Sequence, residues 1–417
     1  MKRLVLPILL FFSAPVLADD PEDTEEAAPQ GDSVTGRQPP PIEGTIREDG
    51  LVVPTADEER EGQYPVRITN GAKMLNMDVE FVWECWKAME GLYERDYAKS
   101  KSTFAGIEQR WRDSGVGPVG QALVWQALML ENFDFKYDAQ YTASFNRGRQ
   151  AMEQAMLSPG NEVWETFLLG ALLGVDAIHK MRKEEFVTAI NRGLEAMKYV
   201  SLAGEMAPQF VDAQLGDGLW LYWRSVVALN APGVPAFSDE RAKGIEMMQR
   251  AQRESVFLRP AAGHALTYTW IEEGEMNRAL GLATRLSQAY PNNIVNLQVL
   301  GRIQMYKRQY AASETTFKRV LSIDDRNERV HYYLQRLYLR WGKYDQSLSH
   351  ADQYLAFDLS DYQQSYSLYY KGNVYYKQKM WDEAESAYQA AWRANKLKRA
   401  KTKLERVKER RARESAG

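Results

Sequence analysis

Cysteine is almost missing from this chain: Cys85 is the only one in 417 residues. No internal disulfide can form, so stability has to come from packing. Cys85 sits in Trp83-Glu84-Cys85-Trp86. It reads either as a buried thiol on an apolar helix face or as an intermolecular or reactive one. Histidine is scarce too. His179, His264, His331 and His350 are far apart, and none stands in an HExxH or CxxC context. There is no GxSxG elbow and no GxxxxGK[ST] loop, so metallohydrolase, serine-hydrolase and P-loop chemistries lose their usual anchors. The chain reads as non-enzymatic, with no metal or cofactor implied. A charge excess is also lacking. The net value is −3, which excludes a nucleic-acid binder or an acidic solvating chain by composition. No apolar run beyond residue 18 is long enough to span a bilayer.

The two ends differ from the middle. Lys2 and Arg3 precede an apolar stretch, Leu4 to Leu17, and Val16 and Ala18 fit the small-residue cleavage rule. Residues 1–18 therefore read as a Sec signal peptide, with Asp19 opening the mature chain. No Cys follows, so no lipoprotein site is expected. The predicted location is a periplasm, with secretion as the alternative. Residues 19–77 form an acidic, Pro-rich segment with Asp19, Asp20, Glu22, Asp23, Glu25 and Glu26 at its start and Pro39-Pro40-Pro41 after them. Low hydrophobicity, high charge and proline predict disorder there. At the other end, residues 397–417 are strongly basic. Leu397, Ala400, Leu404 and Val407 form one apolar seam on that helix, which predicts a cap closing the last hairpin.

What the chain does have is a repeat. Met276 to Tyr310 and Tyr310 to Tyr344 are 34 residues each, and Tyr344 to Trp381 is 37. A period near 34 is that of paired antiparallel helices. Counting Ser365 as position 1, Gly372, Tyr375, Trp381, Ala384, Tyr388 and Ala391 fall at positions 8, 11, 17, 20, 24 and 27. The unit from Ile294 has Leu300, Gly301, Tyr310, Ser313, Phe317 and Val320 at 7, 8, 17, 20, 24 and 27. The unit from Glu328 has Leu334, Tyr338, Gly342, Tyr344 and Ser347, with Gln335 in place of a small residue at position 8. The unit from Pro260 has Leu266, Trp270, Gly274, Ala279 and a closing Pro291. Small residues let two helices approach, large ones fill the space opposite, and Gly or Pro ends a helix. These units resemble the tetratricopeptide repeat (TPR) family.

Upstream, Asp78 is a predicted N-cap before Phe81, Val82, Cys85, Trp86 and Met89. Tyr97, Phe104 and Ile107 are spaced like positions 17, 24 and 27. Further pairs are expected over about 119–132 with 137–157, 163–179 with 183–201, and 208–229 with 239–254, the last joined by a loop over 231–235. No strand alternation appears. The expected fold is all-α: a right-handed TPR-type superhelical solenoid of about eight helical hairpins behind a disordered tail. Residues 78–259 would hold divergent hairpins and 260–396 regular ones. Asp239-Glu240-Arg241, Gly244-Ile245, Tyr290-Pro291-Asn292 and Gly301-Arg302-Ile303 are also similar to motifs of the TPR family related to yeast inclusion-body clearance protein.

The TPR resemblance implies a concave face lined by positions 2, 5, 9, 12 and 13 of each first helix. On this chain these give His264 and Tyr268, with Glu272 as almost the only acid; then Gln298, Arg302 and Tyr306; Tyr332, Arg336 and Arg340; and Tyr366, Tyr369, Asn373, Tyr376 and Lys377. An aromatic and cationic face predicts a protein or peptide partner of acidic character. No nucleic acid is expected, and peripheral membrane or cell-wall contact is compatible with the export signal. The set does not match the Lys/Asn/Arg clamp of chaperone-binding TPRs. The rival reading is a small-molecule or glycan site at Asp217, Trp220 and Trp223. There Gly216 and Gly218 would break the helix and open the backbone to a ligand. An enzyme with an unrecognised site is the third reading.

Overall fold

The computed structural model of the chain describes residues 60–157, 160, 162–230 and 238–416. The signal peptide, most of the acidic segment, the loop over 231–235, and Ser158 and Pro159 lie outside the described residues. Among the described residues the only strands are Arg60–Glu61 (β1) and Tyr64–Pro65 (β2), paired antiparallel. All other regular structure is helical, as the residue spacing predicts.

Among the described residues, helix α1, Val66–Leu75, is followed by eight helical hairpins and a terminal helix. The hairpins are α2 Val79–Tyr93 with α3 Tyr97–Arg110, α4 Val116–Asn132 with α5 Asp138–Ala155, and α6 Glu162–Arg182 with α7 Phe186–Met206. Then come α8 Val211–Asn230 with α9 Arg241–Glu254, and α10 Arg259–Glu272 with α11 Met276–Ala289. The last three are α12 Ile294–Tyr306 with α13 Tyr310–Ile323, α14 Glu328–Trp341 with α15 Tyr344–Leu355, and α16 Asp361–Lys377 with α17 Trp381–Asn395. Helix α18, Lys398–Ala416, ends the fold.

Local chemistry sets the helix limits. The Asp78 carboxylate accepts from the Glu80 amide at 2.7 Å, as the sequence predicts for an N-cap. Ser360 and Gln363 form a capping box at the start of α16. Within hairpins the turn passes through a left-handed residue. Gly274 and Gly342 take it with φ of 74° and 78°; Arg308 and Lys379 hold it at 60° and 59°. A side chain in that region costs about 1–2 kcal/mol, so the tight turn is held by the packed helices on either side.

One correction concerns the N-terminal boundary. Residues 66–75 fall in the segment expected to be disordered, yet they form α1. Ile68, Ala72 and Leu75 are buried, and Arg67 Nη1 donates to the Val256 carbonyl at 2.6 Å. The acidic composition of residues 19–61 masks a short apolar set at Ile68, Ala72 and Leu75 that a tertiary partner completes.

The chain divides into two compact units. The first is Met1–Leu130 with Phe135–Asn296; the second is Glu131–Asp134 with Leu297–Gly417. The division differs from the expected change at 259/260, because α10 and α11 carry the regular signature but pack with the first unit. Tyr290 donates to Glu90 Oε2 at 3.2 Å and Asn293 Nδ2 to the Tyr93 carbonyl at 2.9 Å. The core of the first unit joins Phe81, Phe104, Phe145, Trp164, Phe167, Phe210 and Phe257. Each such buried side chain contributes about 1.5–3 kcal/mol. Cys85 lies in this core, unpaired, with its thiol pushed up by burial, which settles its reading as a packing residue.

The repeat is visible as recurring atomic contacts. Ser100 Oγ donates to the Ala88 carbonyl, Ser313 Oγ to Gly301, and Ser347 Oγ to Gln335, each at 2.7 Å. These are positions 20 and 8 of three hairpins. The first belongs to the stretch whose sequence reads as divergent.

Candidate protein-binding surface

The first helices of the hairpins carry the predicted partner-facing residues, and the structure sorts them by depth. In the first unit, Tyr268 is half-buried with its ring 5.1 Å from His264, edge to face. His264 Nδ1 lies 3.2 Å from Asn296 Oδ1, and burial lowers its pKa to about 4. Glu272 is buried.

In the second unit, six of the predicted residues are buried, Tyr366 and the five Gln298, Arg302, Tyr332, Arg336 and Tyr369. Gln298 Nε2 is spent on the Glu131 carbonyl at 2.8 Å and Asn327 Oδ1 at 3.2 Å. Tyr369 packs on Tyr370 and Tyr388 with ring centres 5.4 and 5.8 Å away. The members that reach solvent are Tyr306, Arg340, Asn373, Tyr376 and Lys377. Asn373 Oδ1 accepts from the Tyr388 hydroxyl at 2.7 Å, and Arg340 lies over the Tyr306 ring at 5.1 Å. The expectation that this set lines an aromatic and cationic face is therefore corrected for its buried members. Arginine and tyrosine there build a layer of their own, because a guanidinium stacked on a ring face tolerates burial better than one left bare.

That layer centres on α14. Arg302 lies 5.6 Å from the Tyr333 ring centre. Arg336 lies over Tyr332 and Tyr370 at 5.4 and 5.2 Å, and its Nη2 donates to the Tyr306 hydroxyl at 3.2 Å. Four members were not singled out from sequence: Arg329, Phe133, Tyr333 and Tyr370. Arg329 lies over Tyr332 and Tyr333 at 5.1 Å each and over Phe133 at 4.9 Å, and its Nε donates to the Tyr333 hydroxyl at 3.0 Å. Arg329 occupies position 2 of its unit, the position of Tyr366 in the last one, so the register contained the signal. Phe133 had none, since it reaches the layer from the far end of α4. Burial raises the Tyr333 phenol, but Arg329, Arg302 and Arg336 together outweigh it and hold the group below its ordinary pKa.

The rival site reads differently in three dimensions. Helix α8 runs unbroken through Gly216 and Gly218. A Cβ on Gly218 would meet the Gly244 carbonyl at 2.8 Å, and one on Gly216 would meet Val200 at 2.7 Å, so both glycines serve close helix packing. Asp217 accepts from Ser201 Oγ at 2.5 Å; Trp223 is buried edge-on to Tyr222, and Trp220 is half-buried. The predicted break, and the ligand access it would give, are not there.

No family model matches the chain, and no curated protein matches it, so the resemblance to the inclusion-body-clearance family gains no support. Among solved structures it is similar to the crystal structure of the P58(IPK) TPR domain. The identity is 12%, the match covers 79% of this chain and 98% of that one, and the TM-score is 0.26. The description as a TPR-like helical repeat rests on the hairpin order and on the recurring serine-to-carbonyl bonds. Arg241 and Gly244, from the second set of motifs, have structural roles. Arg241 is buried between Asp239 and Glu273, and Gly244 sits against α8.

Proposed function

We propose that this chain is an exported, non-enzymatic scaffold that binds a protein or peptide partner of acidic character, working in a periplasm. The observation that supports this reading is the solvent-reaching set Tyr306, Arg340, Asn373, Tyr376 and Lys377 in the second unit. It combines rigid aromatic area with cations on stacked first helices, a composition suited to peptide recognition. Helices that present side chains from a fixed backbone lose little entropy when a partner docks. Among the described residues no helix is long and apolar enough to cross a membrane.

Two measurements test it. The N-terminus of the protein recovered from cells should be Asp19; a retained Met1 removes the export part. A photo-crosslinking residue at Tyr306 or Tyr376 should give a discrete adduct in cells, lost on Arg340→Glu. The same residue at exposed Ser322 should not. Equal adducts from all three positions would remove the surface assignment.

A further inference from the structure

We propose that the outward face of α18 docks on an anionic phospholipid bilayer, through the phosphates of its headgroups. This goes beyond the scaffold reading and uses none of the residues assigned to the partner-facing surface, so the two stand or fall separately.

The helix has two faces of opposite character. Its inner side packs on α17, with Ala400 and Val407 fully buried and the Lys403 stem between them. Lys398 and Val407 are nine residues apart, about two and a half turns, so they point in opposite directions. Lys398, Lys401 and Arg406 are exposed around that outer side, and exposed Arg410 follows one turn after Arg406. Lys408 and Arg411 are exposed as well, but at the edge, where they meet Asp382 and Glu385 of α17. Over its 19 residues α18 carries nine basic side chains and three acidic ones, in a chain whose net charge is −3. A terminal repeat needs a polar outer face, yet polarity sets no sign. One sign concentrated on one face produces a field that draws anionic surfaces.

The composition chooses among anionic partners. Protein interfaces are depleted in Lys and Glu at their centre, and the exposed residues of α18 are mostly Lys, Arg and Glu. A duplex holds its phosphates at fixed spacing, and Glu405 and Glu409, exposed and one turn apart, would be held against them. Lipids diffuse in the plane of a bilayer, so anionic headgroups can collect at the cations and leave the two carboxylates to water. A single helix is also a convex rod, here roughly 28 Å long, which lies on a plane without a groove to receive it.

At the turn into α18 the chain adds an interfacial group. Trp392 is half-buried on α17, and the ammonium groups of Lys396 and Lys401 each lie 5.6 Å from its ring centre. An indole bracketed by ammonium groups suits the headgroup layer, where the ring meets the apolar boundary and the cations meet phosphates.

The test uses the protein as recovered from cells, with vesicles of phosphatidylglycerol and phosphatidylcholine in equal parts or of phosphatidylcholine alone, read by co-sedimentation. The protein should sediment with the first and stay in solution with the second, and salt should release it. Each cation removed should weaken binding about fivefold. Arg406→Ala shows one such step, and Lys398→Glu with Lys401→Glu and Arg406→Glu should abolish binding. Lys198→Ala, at an exposed cation on α7, should leave it unchanged. Circular dichroism of each variant reports folding. A second readout is tryptophan fluorescence, which the phosphatidylglycerol vesicles should shift to the blue in wild type and by less in Trp392→Phe. Equal sedimentation with both vesicles, none with either, or full binding by the triple variant would overturn the proposal. So would an equal blue shift in Trp392→Phe. Release by duplex DNA or by hexaglutamate, where chloride of the same ionic strength has no effect, would also overturn it, by assigning the face to a nucleic acid or to an acidic protein. Release by inorganic phosphate under those conditions would overturn it by assigning the face to free phosphate.

Discussion

Gly301 lies directly under the Phe317 ring: a Cβ placed on it would come within 2.5 Å of Phe317 Cε1. The two are positions 8 and 24 of one hairpin, and both helices are at contact distance only because position 8 has no side chain. Gly301→Ala should destabilise the second unit by about 1–3 kcal/mol, the usual cost of overpacking. Phe317→Leu in the same chain should recover part of the loss. Thermal denaturation of the single and double variants decides it: additive losses would mean that the two positions do not share the strain.

The same pair of positions shows how far the sequence can be read. Gly372 sits under Tyr388 in the last hairpin as Gly301 does under Phe317. Gln335 breaks the rule when read alone. Its partner at position 24 is Ala351, fully buried, so the large residue has moved to the other helix. Gln335 Nε2 donates to the Ser367 carbonyl at 2.8 Å, and its Oε1 accepts from Ser367 Oγ at 2.9 Å, which ties two hairpins together. Helix type and hairpin order were legible because they depend on short-range spacing. The candidate surface was less so. Whether Arg302 or Arg340 meets water depends on rings supplied by other helices, and no spacing rule within one repeat contains them.

Helix α1 sets the second prediction. Limited proteolysis of the mature protein should leave a resistant core that begins at or before Arg60, because Ile68 is fully buried and Arg67 is bonded to the Val256 carbonyl. A core starting after Met77 would mean that α1 does not hold. Removing residues up to Leu75 should lower the melting temperature; Arg67→Ala alone should do so by a smaller step, of which the charge-assisted bond to the Val256 carbonyl accounts for about 1.5–3 kcal/mol.

Acid should destabilise the fold through its histidines. His331 and His350 meet Nδ1 to Nδ1 at 3.0 Å, an arrangement that needs at least one neutral ring. Burial, then His331 and Lys318, lower His350 to about 4, against the pull of Glu314; burial lowers His331 as well. His264 is also near 4. The folded values lie below the unfolded value near 6.5, so the unfolded chain takes up protons first. Stability is intact above about pH 6.5, falls as the pH drops, and stops falling near pH 4, where the folded rings accept protons too. Buried carboxyls with raised pKa, such as Asp212 and Glu273, bind protons in the fold and act in the opposite sense. The comparison is therefore with His350→Gln, whose melting temperature should fall less steeply over that window. Parallel curves for the two proteins would refute the assignment.

Helix α18 gives the last prediction. The sequence seam was Leu397, Ala400, Leu404 and Val407, but the fully buried residues are Ala400 and Val407, with the Lys403 stem buried between them and Leu397 and Leu404 half-buried. The helix is turned so that its small residue meets α17, and Lys403 keeps its ammonium 5.6 Å from the Tyr376 ring centre. Val407→Asp should therefore cost more than Leu404→Asp, by about 2 kcal/mol or more for an unpaired charge forced into an apolar contact. On the outer edge, Arg411 pairs with Asp382 at 2.6 Å and Glu385 at 3.6 Å, both around half-exposed contacts that water and salt screen. Arg411→Ala should change stability by no more than about 1 kcal/mol. If α18 served mainly to hold charge at the end of the chain, the order would reverse, with Arg411→Ala costly and Val407→Asp silent. Urea denaturation of the three variants separates the two, because a stacked repeat loses its terminal element first and the apolar contact is what holds that element in place.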